Sequence, residues 1–129
     1  MTVTTDLPTP LTVRDVAAES GVAPSAVRFY ENHGVISAAR TAGNQRRFDT
    51  SAACRIQVAR LAQRVGMTVR EIAVLFEGLP ADPTPADWSR VARQLVTEAE
   101  ERVANLRTQL AAMESGARLC EIGSREPAG

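Results

Sequence analysis

The chain has 129 residues and carries 15 basic and 15 acidic side chains, so its formal net charge is zero. Hydrophobic residues make up 44% of the chain and aromatic residues only 4%, which predicts one small, aliphatic core. No stretch approaches the roughly 18 apolar residues that a membrane helix needs, and Met1 to Thr9 does not have the pattern of a signal peptide. Two cysteines are too few for a secreted disulfide framework. We therefore expect a cytoplasmic protein without membrane contact.

The charges are divided unevenly along the chain. Residues 1–70 carry nine Arg and five acidic residues, a net charge of +4, whereas residues 71–129 carry six Arg and ten acidic residues, a net charge of −4. The basic first half favours binding to a polyanion such as nucleic acid, and the acidic second half indicates a different role.

The stretch from Val13 to Gly34 predicts two short helices joined by a tight turn. Its first eight residues place apolar and small side chains at helical spacing, which indicates one buried face. Gly21 follows, where a turn needs a small residue or a positive φ. Pro24 suits the first turn of the second helix because it lacks an N–H. Val27 is the expected core anchor, and polar residues flank it, as in helices that lie in a DNA groove.

The next stretch, Ile36 to Phe48, predicts a β-hairpin. Gly43 and Asn44 form a turn signal between its two halves. Three arginines in the hairpin predict a wing that grips a phosphate backbone; they are Arg40, Arg46 and Arg47.

Two more short helices are predicted by their end signals. The third should begin near the capping residues at positions 49–51 and end at Gly66. The fourth should begin at Thr68, because Glu71 stands three residues further on at the capping-box spacing, and it should end before Gly78.

One long helix is predicted from Trp88 to Met113, because this stretch has no Gly or Pro and its apolar residues recur at three- and four-residue steps. A helix of this size spans about 39 Å. Its apolar stripe exceeds what a small head can cover, so a partner helix is expected. The alternative is a helix folded back on its own head.

The segment GVAPSAVRFYENHGVISAARTAGNQRRF resembles the winged helix-turn-helix of the MerR family of transcription regulators. The runs RFYE and GNQRRF most resemble the SoxR branch, and the likeness continues through LAQRVGMTVREIAVLF. The resemblance implies a mainly α fold, with a winged helix-turn-helix head and a long C-terminal helix that forms an antiparallel coiled-coil dimer. The predicted divisions are a flexible N-terminus (1–10), the DNA-binding domain (11–77), a linker (78–85), the dimerisation helix (86–115) and a C-terminal tail (116–129).

The resemblance also implies a function. Family members are homodimers that bind double-stranded promoter DNA and distort it so that it suits RNA polymerase; they are not enzymes. The alternatives are a constitutive repressor without an effector and an architectural protein that only bends DNA. A thiol enzyme is a weaker alternative, because neither cysteine has a neighbouring His in the sequence.

The expected DNA contacts follow from the matched positions. Arg28 is expected to contact a base or phosphate, Tyr30 to place its hydroxyl on a phosphate, and Ser25 to contact DNA or support the helix start. Arg55 is expected to replace a phosphate contact, since Cys54 stands where relatives often have Arg. The predicted DNA-binding residues are Ser25, Arg28, Tyr30, Arg40, Asn44, Gln45, Arg46, Arg47 and Arg55. The alternatives are a core role for Tyr30 and a solvated surface role for Arg28.

The expected dimer contacts lie on the long helix, and they are Val91, Leu95, Val103, Leu106 and Leu110. The tail departs from the SoxR branch, which holds a [2Fe–2S] cluster on four cysteines, because Cys120 is its only cysteine. We therefore predict no cofactor and no metal site. Three hypotheses replace the cluster: a thiol switch at Cys120, a thiol switch at Cys54, or a small ligand near Trp88.

Overall fold

The computed structural model of the chain describes residues 11–115, apart from the side chain of Arg46. It contains five helices and one two-stranded sheet within this range. In chain order these are α1 (Val13–Ser20), α2 (Pro24–Asn32), β1 (Ala38–Arg40), β2 (Arg46–Phe48), α3 (Ala52–Val65), α4 (Val69–Phe76) and α5 (Pro85–Glu114). The chain divides into two compact units between Ala92 and Arg93. The mainly helical class predicted from the sequence is confirmed.

Local signals define the α1–turn–α2 pair. Thr12 and Asp15 form a reciprocal capping box at the start of α1, and Gly21 ends that helix with a left-handed φ of 76°. Pro24 occupies the start of α2, as predicted. Val27 is fully buried and fixes α2 against the core.

The wing is a short antiparallel hairpin in which Ala38 lies opposite Phe48 and Arg40 lies opposite Arg46. Asn44 adopts a φ of 63°, a left-handed conformation that Asn tolerates well. Leu11 and Phe48 exchange two backbone hydrogen bonds of 3.0 and 2.7 Å, and the Phe48 ring is buried. The wing is therefore joined to the core at its base.

The start of α3 differs from the prediction. Ser51 is the N-cap residue, but its side chain makes no capping bond to the helix. Its N–H and hydroxyl instead both donate to Asp49 Oδ1, at 2.9 and 2.6 Å. Asp49 thus shapes the turn between β2 and α3 rather than capping the helix.

The other ends of α3 and α4 are as predicted. Gly66 ends α3 with a φ of 111°, and Thr68 and Glu71 form a capping box on α4. The largest fully buried side chains of the core are aliphatic apart from Phe48; they are Val16, Val27, Val35, Phe48, Ile56 and Ile72.

The long helix α5 begins three residues earlier than Trp88, at Pro85. Thr84 and Asp87 explain this start, because the N–H of each is accepted by the side chain of the other, at 2.8 and 3.2 Å. Proline is well suited to the first helical position that follows such a cap.

The first turns of α5 belong to the head unit. The Trp88 ring packs edge-on against Phe76, with the ring centroids 6.0 Å apart. Val91 is only 2% exposed, so it is a core residue and not the dimer contact predicted above. The sequence pattern could not distinguish the two roles of Val91, because the apolar stripe of α5 begins in the head unit and continues into the second unit.

The second unit contains the remainder of α5 within the described range. Its apolar side chains are about half exposed, and they are Val96, Val103, Leu106, Leu110 and Met113. No helix between residues 11 and 115 is long and apolar enough to cross a bilayer.

Candidate nucleic-acid interface

One face of α2 is exposed and does not pack against the core. Ser25, Arg28, Phe29 and Asn32 are all exposed, and their spacing of three, four and seven residues places them along one side of the helix. The opposite side carries Val27, which is buried. This face is free to enter a groove, and it offers a hydroxyl, a guanidinium, an aromatic ring and an amide.

Arg28 is the cationic residue of this face. It is exposed, so its guanidinium can reach a ligand without disturbing the core. A guanidinium on a helix in the major groove can donate two parallel hydrogen bonds to guanine O6 and N7. The position of Arg28 thus agrees with its predicted role in base or phosphate contact.

Tyr30 does not share this face. Its side chain is only 6% exposed, and its hydroxyl donates a 2.7 Å hydrogen bond to Gln63 Oε1 on α3. Burial raises the pKa of Tyr30, so the hydroxyl stays protonated as a donor at neutral pH. The expected outward hydroxyl is replaced by a bond within the chain, in line with the core alternative.

Phe29 takes the exposed position that was expected for Tyr30. Its ring is 43% exposed and lies against the exposed His33 ring, with centroids 4.3 Å apart. Helical arithmetic could have identified it: at about 100° per residue, Tyr30 lies about 60° from Val27, whereas Phe29 lies about 200° round. An exposed Phe in a major groove can contact a thymine methyl group.

The wing holds its polar side chains in place through its own hydrogen bonds. Arg40 Nη1 donates to the Asn44 carbonyl at 3.0 Å, and Arg47 Nη2 donates to Gln45 Oε1 at 2.6 Å. The Gln45 N–H donates to Thr41 Oγ1 at 3.2 Å. Since Arg40 gives one N–H to this bond, its guanidinium keeps further N–H donors for phosphate oxygens.

Arg47 also lies within electrostatic range of α1. The pKa of Asp15 is held below its usual value, chiefly by hydrogen bonds from Thr12 and to a lesser degree by the charges of Arg47 and Arg14. The predicted wing residue Arg46 has no described side chain, so its phosphate contact stays a prediction.

Arg55 is held by contacts within the chain, and its expected DNA contact stays a prediction. Its Nε–H donates to Ser51 Oγ at 2.9 Å, and Nη2 donates to the Pro80 carbonyl at 2.7 Å. The side chain thereby ties α3 to the segment that follows α4. It borders a cleft of about 260 Å³ that also contains Asp49 and Glu77. Sequence spacing could not reveal the partner, which lies 25 residues away.

The three expected effector positions differ in their surroundings. Cys54 is exposed near the start of α3, so it is not a buried packing residue. Trp88 is half-buried against Phe76. Cys120 lies outside the described residues. Within residues 11–115, no three His, Cys, Asp or Glu side chains come together as a metal site.

Comparison with known proteins identifies the family. A family model described as "MerR HTH family regulatory protein" matches residues 11–79, more than half of the chain. The chain belongs to the MerR family. A second model, "MerR, DNA binding", matches residues 54–115. This MerR-type chain is therefore a DNA-binding transcriptional regulator and not an enzyme, as predicted.

Two relatives support this assignment. The chain is 36% identical over 105 residues to an "HTH-type transcriptional activator SoxR homolog" from Chromobacterium violaceum, which covers 78% of this chain and 71% of that protein. It is 37% identical over 106 residues to the "HTH-type transcriptional regulator MerD" from Serratia marcescens. This match covers 79% of this chain and 87% of that protein.

Solved MerR structures share the fold. HiNmlR, a MerR family regulator lacking the sensor domain and bound to promoter DNA, has a TM-score of 0.53 at 20% identity, over 83% of this chain and 86% of that chain. A MerR family regulator from Bacillus thuringiensis has a TM-score of 0.52 at 18% identity, over 83% of this chain and 96% of that chain. These likenesses agree with the predicted winged helix-turn-helix head.

Proposed function

We propose that this MerR-family regulator works in the cytoplasm as a homodimer that places the exposed face of α2 in the major groove of promoter DNA. The observation that carries the proposal is this face itself, which presents Arg28 and Phe29 on the side of α2 opposite the buried Val27. The wing then lies on the flanking backbone, where Arg40 and Arg47 contact phosphates.

Two copies are needed because the second unit leaves an apolar stripe uncovered. Val103, Leu106 and Leu110 are each about half exposed in the single chain. A pairing of two α5 helices buries this stripe and sets the spacing of the two heads. The resulting two-fold symmetry calls for a near-palindromic site whose halves lie whole helical turns apart.

The proposed mode of regulation is distortion of the promoter. Bending and untwisting of DNA cost on the order of a few kcal/mol, so a small change in the dimer can switch the distorted state. An activating role is supported by the SoxR-homolog relative, which is named as a transcriptional activator. The proposed partner in activation is RNA polymerase.

The proposed signal is a thiol reaction or a small ligand. Cys54 is exposed in the first turn of α3, the helix that follows the wing in the chain, so its thiol is accessible to an oxidant or a modifying reagent. Binding to the DNA upstream of its own gene should be measured with reduced and mildly oxidised protein, for wild type, Cys54→Ser and Cys120→Ser. Identical binding in every sample contradicts a thiol switch and favours a ligand near Trp88 or a regulator without effector.

The experiment for DNA recognition compares wild type with Arg28→Ala on the same DNA. We expect a loss of about 1–3 kcal/mol in specific binding, together with relaxed base preference at one position of each half-site. Arg90→Ala is the matched control, because Arg90 is an exposed arginine outside α2 and the wing that pairs with Asp87 at 2.8 Å. Equal affinity of wild type and Arg28→Ala contradicts the proposed reading face.

A further inference from the structure

The exposed stripe of the second unit follows a strict heptad repeat. Beginning at Val96, the apolar positions alternate in steps of three and four residues; they are Val96, Ala99, Val103, Leu106, Leu110 and Met113. This is the a/d pattern of a coiled coil, in which two helices wind around each other. Leu95, an expected dimer contact, is half-buried and lies beside this repeat rather than in it.

One border of the stripe carries a second repeat, made of charges. Arg93, Glu100, Arg107 and Glu114 stand seven residues apart, alternate in sign and are all exposed. Within the described helix, none of them has an opposite charge three or four residues away. Elsewhere on α5 an ordinary intrahelical pair does occur, between Arg102 Nη2 and Glu98 Oε1 at 3.2 Å. The border charges are thus arranged for partners on another helix.

We infer that a second copy of this chain covers the stripe in one antiparallel register, selected by these border charges. The inference rests on the proposed homodimer and specifies its geometry. In this register Val103 packs beside the partner's Leu106, and Ala99 beside the partner's Leu110. Small residues therefore face large ones along the seam, which allows close packing.

The charges form the largest number of attractive pairs in this arrangement. Antiparallel coiled coils bring the same border of both helices together. In the proposed register Glu100 meets the partner's Arg107, and Arg93 meets the partner's Glu114. Two-fold symmetry repeats each contact, so the border holds four attractive pairs.

The neighbouring registers bring like charges together. A slip of one heptad in one direction sets Glu100 against the partner's Glu100, and a slip in the other sets Arg107 against the partner's Arg107. A parallel pair is also disfavoured, because it brings Arg107 beside the partner's Arg102. These border charges therefore favour an antiparallel pair in the proposed register over its neighbouring registers. They also disfavour pairing with a helix whose border charges do not alternate in the same way.

Charge reversal in the 129-residue chain tests this inference by sedimentation equilibrium at low salt. Glu100→Arg and Arg107→Glu should each raise the dimer Kd about tenfold, equivalent to about 1.4 kcal/mol, because two attractive pairs become repulsive. An equimolar mixture of the two variants should form heterodimers of nearly wild-type Kd. The double variant should also recover, and 1 M salt should reduce all the differences.

Glu101→Arg is the matched control, since Glu101 is exposed on the side of α5 away from the stripe, and its Kd should stay within about twofold of wild type. Tighter dimerisation by Arg107→Glu would identify a parallel pair and overturn the inference, as would an unchanged Kd for Glu100→Arg. A monomeric wild type instead overturns the proposed homodimer itself. DNA binding by that monomer would show which part of the proposed function survives.

Discussion

The hydrogen bond between Tyr30 and Gln63 makes it possible to test whether Tyr30 stabilises the fold or contacts a DNA phosphate. The hydroxyl lies 2.7 Å from Gln63 Oε1 and joins α2 to α3, while the ring is buried. Tyr30→Phe removes the bond and keeps the ring. Because Gln63 is exposed, water can solvate its amide once the hydroxyl is gone. The expected cost is therefore one ordinary hydrogen bond, about 0.5–1.5 kcal/mol of unfolding free energy.

Urea denaturation of wild type, Tyr30→Phe, Gln63→Met and the double variant measures this cost as a coupling energy. DNA affinity at several salt concentrations gives the second readout. If Tyr30 is structural, Tyr30→Phe should show a coupling energy with Gln63 and leave DNA affinity nearly unchanged. If Tyr30 contacts a phosphate, Tyr30→Phe should weaken DNA binding without any coupling to Gln63. A fall in DNA affinity with unchanged stability and zero coupling would refute the structural role assigned here.

Three further predictions follow from burial, charge and exposure. Ile72→Ala should lower the unfolding free energy by about 2–5 kcal/mol, since Ile72 is fully buried; a loss below 1 kcal/mol in urea denaturation would contradict its place in the core. The pKa values of Asp15 and Asp87 are lowered by hydrogen bonds from the threonine three residues before each, so they bind protons less readily in the folded state. Their contribution to stability should be present above pH about 4 and disappear as the pH falls through the folded pKa values. Denaturation of the Asp15→Asn and Asp87→Asn double variant should show a weaker acid dependence than wild type, and an identical dependence would contradict it. Cys54 should react with a maleimide in the folded Cys120→Ser variant at a rate near that of a free thiol, because it is exposed; protection until unfolding would contradict this.

The elements with local end signals could be predicted from the sequence. The capping-box residues Thr68 and Glu71 predict the start of α4, and Gly21 and Gly66 predict helix ends with a left-handed φ. These features depend on residues a few positions apart, so tertiary structure did not override them. The helix α5 begins earlier than the sequence predicts, because Pro85 is typical both of a linker and of a first helical position.

The side-chain roles that depend on distant partners could not be predicted. Arg55 follows the wing closely in the sequence, but its guanidinium donates hydrogen bonds to Ser51 Oγ and to the Pro80 carbonyl. Val91 and Val103 belong to one apolar pattern, yet Val91 is buried and Val103 is half exposed. A periodic stripe reports that a helix face is apolar, but it does not report what covers that face.

The exchange of Tyr30 and Phe29 was predictable in principle. Both aromatic residues follow Val27, and helical geometry alone places Tyr30 on the side of Val27 and Phe29 away from it. The family role implied for Tyr30 depends on the residue type, whereas the burial of its ring depends on its direction from the helix. Together, Phe29 and Arg28 give α2 an apolar and a cationic contact for DNA.

The central claim is that two copies of α2 read major grooves on promoter DNA. The most direct measurement is a dimethyl sulfate footprint of wild type and Arg28→Ala on the DNA upstream of its gene, which reports guanine N7 in the major groove. We predict two protected patches related by two-fold symmetry, with centres about 34–36 Å or a multiple of it apart, and loss of guanine protection in Arg28→Ala. A single patch, or protection that persists in Arg28→Ala, would contradict the claim.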